Sequence, residues 1–90
     1  RAEATTEADV QGFLHEAHAA FEVREGVHAN GPMPAPMARR AGKARGQLLV
    51  DASQRNALHA ALRDWLPALR ALKSARRVRW SLDVDPTDLY

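Results

Sequence analysis

The segment from Arg77 to Pro86 constrains the fold more than any other, because polar and apolar side chains alternate along residues 77–84. A period of two is typical of a β-strand with one buried face and one face in water. Pro86 has no amide hydrogen to donate, so we expect strand pairing to stop at the Asp85–Pro86 step. The apolar positions are Val78, Trp80, Leu82 and Val84. The chain should therefore build a sheet that is covered on one face, with Arg76, Arg77 and Arg79 making one edge positive.

Two segments have the spacing of amphipathic helices. The first helix is predicted within residues 5–23. It should begin near Thr6, and Asp9 then occupies the position at which a capping box prefers Glu. Ser53 is a candidate N-cap for a second helix that runs to about Leu72, and Pro67 should kink that helix. The apolar stripes consist of Val10, Phe13, Leu14, Ala17 and Phe21 in the first helix and of Leu58, Leu62, Trp65, Leu69 and Leu72 in the second. Each helix has one face to bury.

The residues between the helices predict two more strands joined by a basic turn. Gly26–Gly31 should be a short strand, and the alternate prolines of Pro32–Pro36 should continue it as a rigid bridge along a sheet edge. Gly42 permits a tight turn within Arg39–Arg45, which we interpret as a β-hairpin arm. The apolar strand Gln47–Val50 should be central.

The order helix, strand, strand, helix, strand needs one strand in front to make a split βαβ sandwich. That fold is an α+β architecture with two helices on one face of an antiparallel sheet. Arg1–Ala4 should be the end of the first strand, which is truncated or partial. Residues 1–90 are the size of one small domain, and the start at Arg1 rather than Met suggests a piece excised from a larger protein.

The net charge of +2 conceals a strong segregation. Residues 26–79 hold eleven Lys and Arg against two Asp, so that their net charge is +9. Such a section favours a polyanionic partner, either nucleic acid or an acidic peptide, over a merely solvated face. The residues that we expect to bind DNA phosphates are Arg39, Arg40, Lys43, Arg45, Arg76, Arg77 and Arg79. On the second helix, Arg55, His59 and Arg63 recur every four residues and form a candidate clamp for a carboxylate or phosphate.

Several function classes find no support in the residues. There is no cysteine, no Walker motif and no apolar run of membrane-spanning length, so we expect no thiolate zinc site, no nucleotide hydrolysis and a cytoplasmic location. His15, His18 and Glu22 have a spacing that suits a metal, but a third strong ligand is lacking and we predict no site. Asp83 and Asp85 should form a strand-end turn rather than an acid–base pair.

The terminal sequence Arg-Arg-Val-Arg-Trp-Ser-Leu-Asp-Val-Asp-Pro at 76–86 resembles the signature of the primosomal protein N′ (PriA) family of bacterial replication-restart helicases. Gly31–Met37, the basic run 39–45 and Gln47–Val50 occur in the order and spacing of that family, and the resemblance covers residues 1–88. It implies the C-terminal domain, a compact α+β unit similar to a small ribosomal-subunit protein. ATP and zinc would then bind only in other domains of the parent 3′-to-5′ helicase, and this piece would be catalytically inert.

The resemblance also implies partners. In that family the domain helps to dock the helicase on forked or single-stranded DNA, contacts the other helicase domains, and helps to bind the acidic tail of single-stranded-DNA-binding protein. Arg55 matches the basic residue for that tail, whereas His59 replaces a polar amide. Ala44 and Gly46 stand where the family has aromatic residues, so we expect phosphate contact to outweigh base stacking. Two alternatives remain open, namely a purely structural domain that braces the helicase core and an RNA-binding module like a ribosomal protein.

Overall fold

The computed structural model describes residues 1–82, except for the side chains of residues 35–40. The predicted end of the last strand at residues 83 and 84, the predicted stop at Pro86 and the predicted turn of Asp83 and Asp85 lie outside the described residues. Four strands and two helices follow one another in the order β, α, β, β, α, β. The elements are β1 (Ala2–Ala4), α1 (Glu7–Ala20), β2 (Val27–Arg40), β3 (Lys43–Ala52), α2 (Arg55–Ala71), a 3₁₀ turn (Lys73–Arg77) and β4 (Arg79–Trp80).

The sheet has the order β2-β3-β1-β4, and all three pairings are antiparallel. Helix α1 contacts β1, β2 and β3, and α2 contacts α1, β2 and β3, so both helices cover the same face. This is the split βαβ arrangement expected from the sequence. The segment at the start of the chain is the inner strand β1, which pairs with β3 on one side and with β4 on the other.

Helix α1 begins as its sequence predicts, although it is shorter. The Thr6 hydroxyl caps the helix by accepting a hydrogen bond from the Asp9 amide at 3.2 Å. Glu7 and Asp9 lie in the first turn, where negatively charged side chains interact favourably with the positive end of the helix dipole. The buried stripe contains Val10, Phe13, Leu14 and Ala17, and Phe21 is buried at the C-cap.

Helix α2 departs from the prediction at its start. Gln54 is the N-cap, without a side-chain hydrogen bond, and the proposed cap Ser53 instead donates its backbone amide to the Gly26 carbonyl at 3.3 Å. Ser53 is thus used to close the end of the β2–β3 pair. The helix continues through Pro67 to Ala71, and Leu72 is its C-cap.

Strands β2 and β3 form one long hairpin, not a short strand followed by a separate proline bridge. Arg40 pairs with Lys43 across a turn in which Ala41 and Gly42 have φ values of 53° and 79°, as a type I′ turn requires. The register shifts between Asn30 and Met33 and again between Pro34 and Arg39. The prolines belong to β2, at the sheet edge, where missing amide donors are tolerated.

Strand β4 is shorter than the alternating segment suggested. Residues 73–77 form a 3₁₀ turn directly after α2, and of the residues up to Leu82 only Arg79 and Trp80 belong to the strand paired with β1. The Ser81 amide adds one more hydrogen bond, to the Arg1 carbonyl at 2.9 Å, while Leu82 is 38% exposed.

The core lies between the sheet and the helices. The Trp65 ring meets Phe21 edge-on at a centroid distance of 5.0 Å, and its indole nitrogen donates to the Ala17 carbonyl at 2.9 Å. Trp80 stacks on Phe13 with centroids 5.9 Å apart but is only half-buried. Trp65 therefore ties α2 to α1, whereas Trp80 closes the margin of the core beside β4.

Truncation of Trp65 should be highly destabilising. We expect Trp65→Ala to lower the free energy of unfolding by about 3–5 kcal/mol, because it removes a buried ring and its hydrogen bond. Urea denaturation measures the loss. Val23→Ala is the control, since Val23 is 93% exposed and should change the value by less than about 0.5 kcal/mol. A wild-type unfolding curve for Trp65→Ala would refute this packing role.

Two glycines should respond to alanine with opposite signs. A Cβ at Gly46 would lie 2.8 Å from Leu14 Cδ1 and 2.9 Å from Val10 Cγ1, so Gly46→Ala should destabilise the protein by about 1–3 kcal/mol through overpacking. A Cβ at Gly12 meets nothing within 4 Å, and Gly12→Ala should stabilise α1 by up to about 1 kcal/mol. Thermal unfolding of both variants tests the close approach of α1 to β3, which would be wrong if Gly46→Ala melted at or above the wild-type temperature.

Candidate nucleic-acid interface

Strand register gathers the predicted DNA-binding cations at one end of the sheet. Strand β1 runs toward the hairpin turn, with Ala4 opposite Ala44, and β4 starts at Arg79 opposite Glu3. The 3₁₀ turn therefore enters β4 from the same end at which the β2–β3 hairpin turns. We call this the hairpin end. Its backbone positions carry all seven of the predicted cations, at 39, 40, 43, 45, 76, 77 and 79.

Three of these cations share one face of the sheet. Ala44 and Gly46 are buried under α1, so Lys43 and Arg45 project from the opposite, open face. Trp80 likewise packs inward against Phe13, which puts Arg79 on the open face of β4. Arg76 and Arg77 are exposed in the 3₁₀ turn. The backbone of Arg39 and Arg40 pairs with Ala44 and Lys43, and their side chains lie outside the described residues.

Ala44 and Gly46 occupy the two positions at which the family resemblance suggests aromatic residues, and both face the core. Ala44 is 3% exposed and Gly46 is in close contact with α1. Neither position on β3 therefore offers a surface on which a base can stack.

A cleft of about 320 Å³ lies on the open face, where β1 separates β3 from β4. Glu3, on β1, is opposite Arg45 on one side and opposite Arg79 on the other. The Glu3 carboxylate is 3.9 Å from Arg45 Nε, and the two side chains are 29% and 13% exposed. The cleft is lined by Arg1, Ala2, Glu3, Arg45, Arg79, Trp80 and Ser81.

Sequence reasoning missed Glu3. The sequence assigned no role to Glu3, yet it stands next to Arg79 across the strand pair. A position of Glu3 within the sheet does follow from the sequence, because Arg1–Ala4 is predicted to be the end of the first strand. Its register against two other strands was needed to show which cations flank its one outward side chain, and a sequence does not specify that register.

The candidate partner site is separate from the hairpin end. Arg55, His59 and Arg63 are all exposed on α2, four residues apart, in the helical layer. Helix α2 begins just after β3 ends at Ala52, which pairs with Val27 at the far end of the sheet. Within residues 1–82 the three side chains make no ion pair.

The two acids of the basic section do not neutralise the hairpin end. Asp64 forms an ion pair with Arg24, whose guanidinium donates a hydrogen bond to the Asp64 carboxylate. This hydrogen bond, together with a weaker one from Arg24 to Glu22, raises the pKa of the Arg24 guanidinium. Asp51 lies near the far end of β3 and accepts a hydrogen bond from Asn30 at 3.4 Å. Of the described acids, Glu3 is therefore the one in contact with the predicted DNA-binding cations.

The described residues contain no group of three or more His, Cys, Asp or Glu side chains placed to hold a metal ion. His18 Nε2 lies 3.2 Å from the Ala29 carbonyl oxygen and links α1 to β2. None of the helices in this part of the chain is both long and apolar enough to cross a membrane.

Comparison with known proteins agrees with the family resemblance of the sequence. A family model described as the primosomal protein N C-terminal domain matches residues 1–87. The replication restart protein PriA of Haemophilus influenzae is 45% identical over 64 residues, which are 71% of this chain and 8% of that protein. The matched segment thus spans less than a tenth of that relative. The chain therefore belongs to the family of primosomal protein N C-terminal domains, which are the C-terminal domains of PriA replication restart proteins.

Proposed function

We propose that this domain binds DNA through the hairpin end and a protein partner through α2, and that it helps to dock a larger replication-restart helicase on forked or single-stranded DNA. The observation that carries the proposal is the convergence of seven cationic positions at one end of the sheet, with three of them on its open face. The domain itself has no catalytic role in this proposal. ATP hydrolysis, zinc binding and a cytoplasmic location are proposed for the whole protein.

The hairpin end suits a polyanion because it carries several cations, of which Lys43, Arg76, Arg77 and Arg79 are exposed. Each phosphate that a Lys or Arg neutralises releases condensed counterions, which makes the affinity fall with salt concentration. Such contacts position a protein on nucleic acid but do not read its sequence. DNA structure, rather than base sequence, is therefore the property that this surface would recognise.

The α2 row of Arg55, His59 and Arg63 suits a short acidic peptide. Guanidinium groups bind carboxylates in a bidentate manner, and the row has no competing ion pair within residues 1–82. The partner that we propose is the acidic tail of single-stranded-DNA-binding protein. Because the row is on the helical layer, it does not overlap with the open face of the sheet.

The salt dependence of DNA binding tests the first site. We expect the affinity for a labelled forked DNA to fall steeply with salt, and Arg76→Gln to reduce the slope of log K against log salt by about 0.7–0.9, the value of one phosphate contact. Fluorescence anisotropy over a salt series measures the slope. Arg70→Gln is the matched control, since Arg70 is exposed in the last turn of α2, and it should leave the slope unchanged.

A salt-independent affinity, or equal slopes for the two variants and the wild type, would exclude phosphate binding at the hairpin end. If the domain bound neither DNA nor peptide, the bracing alternative would replace this proposal.

Charge reversal on α2 tests the second site. Arg55→Glu should weaken binding of a synthetic acidic-tail peptide by about 10- to 100-fold, because one charged hydrogen bond contributes about 1.5–3 kcal/mol. Isothermal titration calorimetry measures this loss. Arg70→Glu makes the same charge change on the same helix and should have a much smaller effect. Unchanged peptide binding by Arg55→Glu would rule out the row, and displacement of bound DNA by the peptide would contradict the separation of the two sites.

A further inference from the structure

We propose that the cleft between Arg45 and Arg79 binds one phosphate group of a DNA strand, and that Glu3 competes with this phosphate for the two arginines. The inference rests on the proposed DNA binding and assigns a defined subsite within it. Glu3 is then an internal substitute for the ligand, which holds the site in an ordered state while no DNA is bound.

The strand arrangement gives the cleft its geometry. Neighbouring strands are about 4.8 Å apart, so the backbones that carry Arg45 and Arg79 stand about 10 Å from each other with Glu3 midway. Both guanidinium groups can reach a single anion placed above β1. The two non-bridging oxygens of a phosphodiester can accept hydrogen bonds from both planar donors, and the phosphate, unlike the Glu3 carboxylate, is not tethered to β1 and can move to the best position between them.

The contact with Glu3 does not saturate these donors. Arg45 Nε is 3.9 Å from the Glu3 carboxylate, which is beyond hydrogen-bonding distance, and a guanidinium has five N–H groups. Arg79 is exposed and makes no ion pair within residues 1–82. Among residues 1–82 the donors of the cleft therefore keep an unfilled capacity for an anion, although the Glu3 carboxylate already reduces the positive potential there.

Neighbouring cations favour a nucleic-acid strand over an isolated carboxylate as the occupant. Lys43 projects from the same face two residues before Arg45, about 7 Å further toward the turn. Arg76 and Arg77 approach from the other side of β1 at the same end. A chain of phosphates can engage these groups in succession, whereas one carboxylate occupies only the cleft.

The cleft should not distinguish bases. Its one aromatic lining residue is Trp80, whose ring is stacked on Phe13 in the core. The remaining lining is charged, small or hydroxylic. The contact that we infer is thus with the backbone of the strand, and it contributes affinity at any sequence.

Removal of the competing carboxylate tests the inference. At low salt, Glu3→Gln should bind forked DNA about three- to tenfold more tightly than the wild type, because it removes a negative charge next to the phosphate. Glu25→Gln changes the net charge equally but lies in the exposed segment before β2, at the far end of the sheet, and should have a much smaller effect. Arg79→Gln should weaken binding several-fold, and Arg70→Gln should not.

The outcomes separate the two proposals. Equal gains for Glu3→Gln and Glu25→Gln, with salt-dependent binding by the wild type, would overturn the cleft and leave the DNA-binding function standing. Absence of wild-type binding would overturn both. If Glu3→Gln tightened binding of the acidic-tail peptide and not of DNA, the proposed occupant would be wrong. Thermal unfolding of each variant shows whether it is folded, and the conservative variant Glu3→Asp should restore affinity toward the wild-type value.

Discussion

The pairing of β1 with two strands at once is the interaction on which the rest of the structure depends. Three residues join β3 to β4, and without them the chain after α2 would have no partner in the sheet. Ala2 and Ala4 are small enough to lie under α1, at 2% and 7% exposure, while Glu3 points to the opposite face. The same alternation that completes the core thus delivers a carboxylate into the centre of a basic surface.

Close packing under α1 makes this arrangement possible. Gly46 lets Val10 and Leu14 approach the backbone of β3, and the buried alanines of β1 continue that flat surface. The two tryptophans lie further along this core, where Trp65 joins the two helices and Trp80 covers the edge beside β4. Because this core occupies one face of the sheet, the opposite face is left uncovered and carries the charged side chains.

Local patterns predicted the elements well where one segment determines its own structure. The stripe from Val10 to Ala17, the Thr6 cap and the turn at Gly42 are all properties of a few neighbouring residues, and all are confirmed. The prediction failed where a distant partner decides. Residues 77–82 alternate as a strand does, yet among them only Arg79 and Trp80 are paired with β1. Likewise Ser53 had the chemistry of a cap but was needed elsewhere, and the position of Glu3 between two arginines depends on a register that no local rule specifies.

The half-buried position of Trp80 gives the molecule a built-in optical reporter. The chain has two tryptophans, of which Trp65 is enclosed and hydrogen-bonded while Trp80 forms part of the cleft wall. Emission from an indole depends on the polarity and charge around it, so the two fluorophores should differ in wavelength and in accessibility to ionic quenchers. Trp65 emission would follow the packing between the two helices, and Trp80 emission would follow the contact between β4 and α1, so that the enclosed and the marginal parts of the core can be monitored in one unlabelled sample.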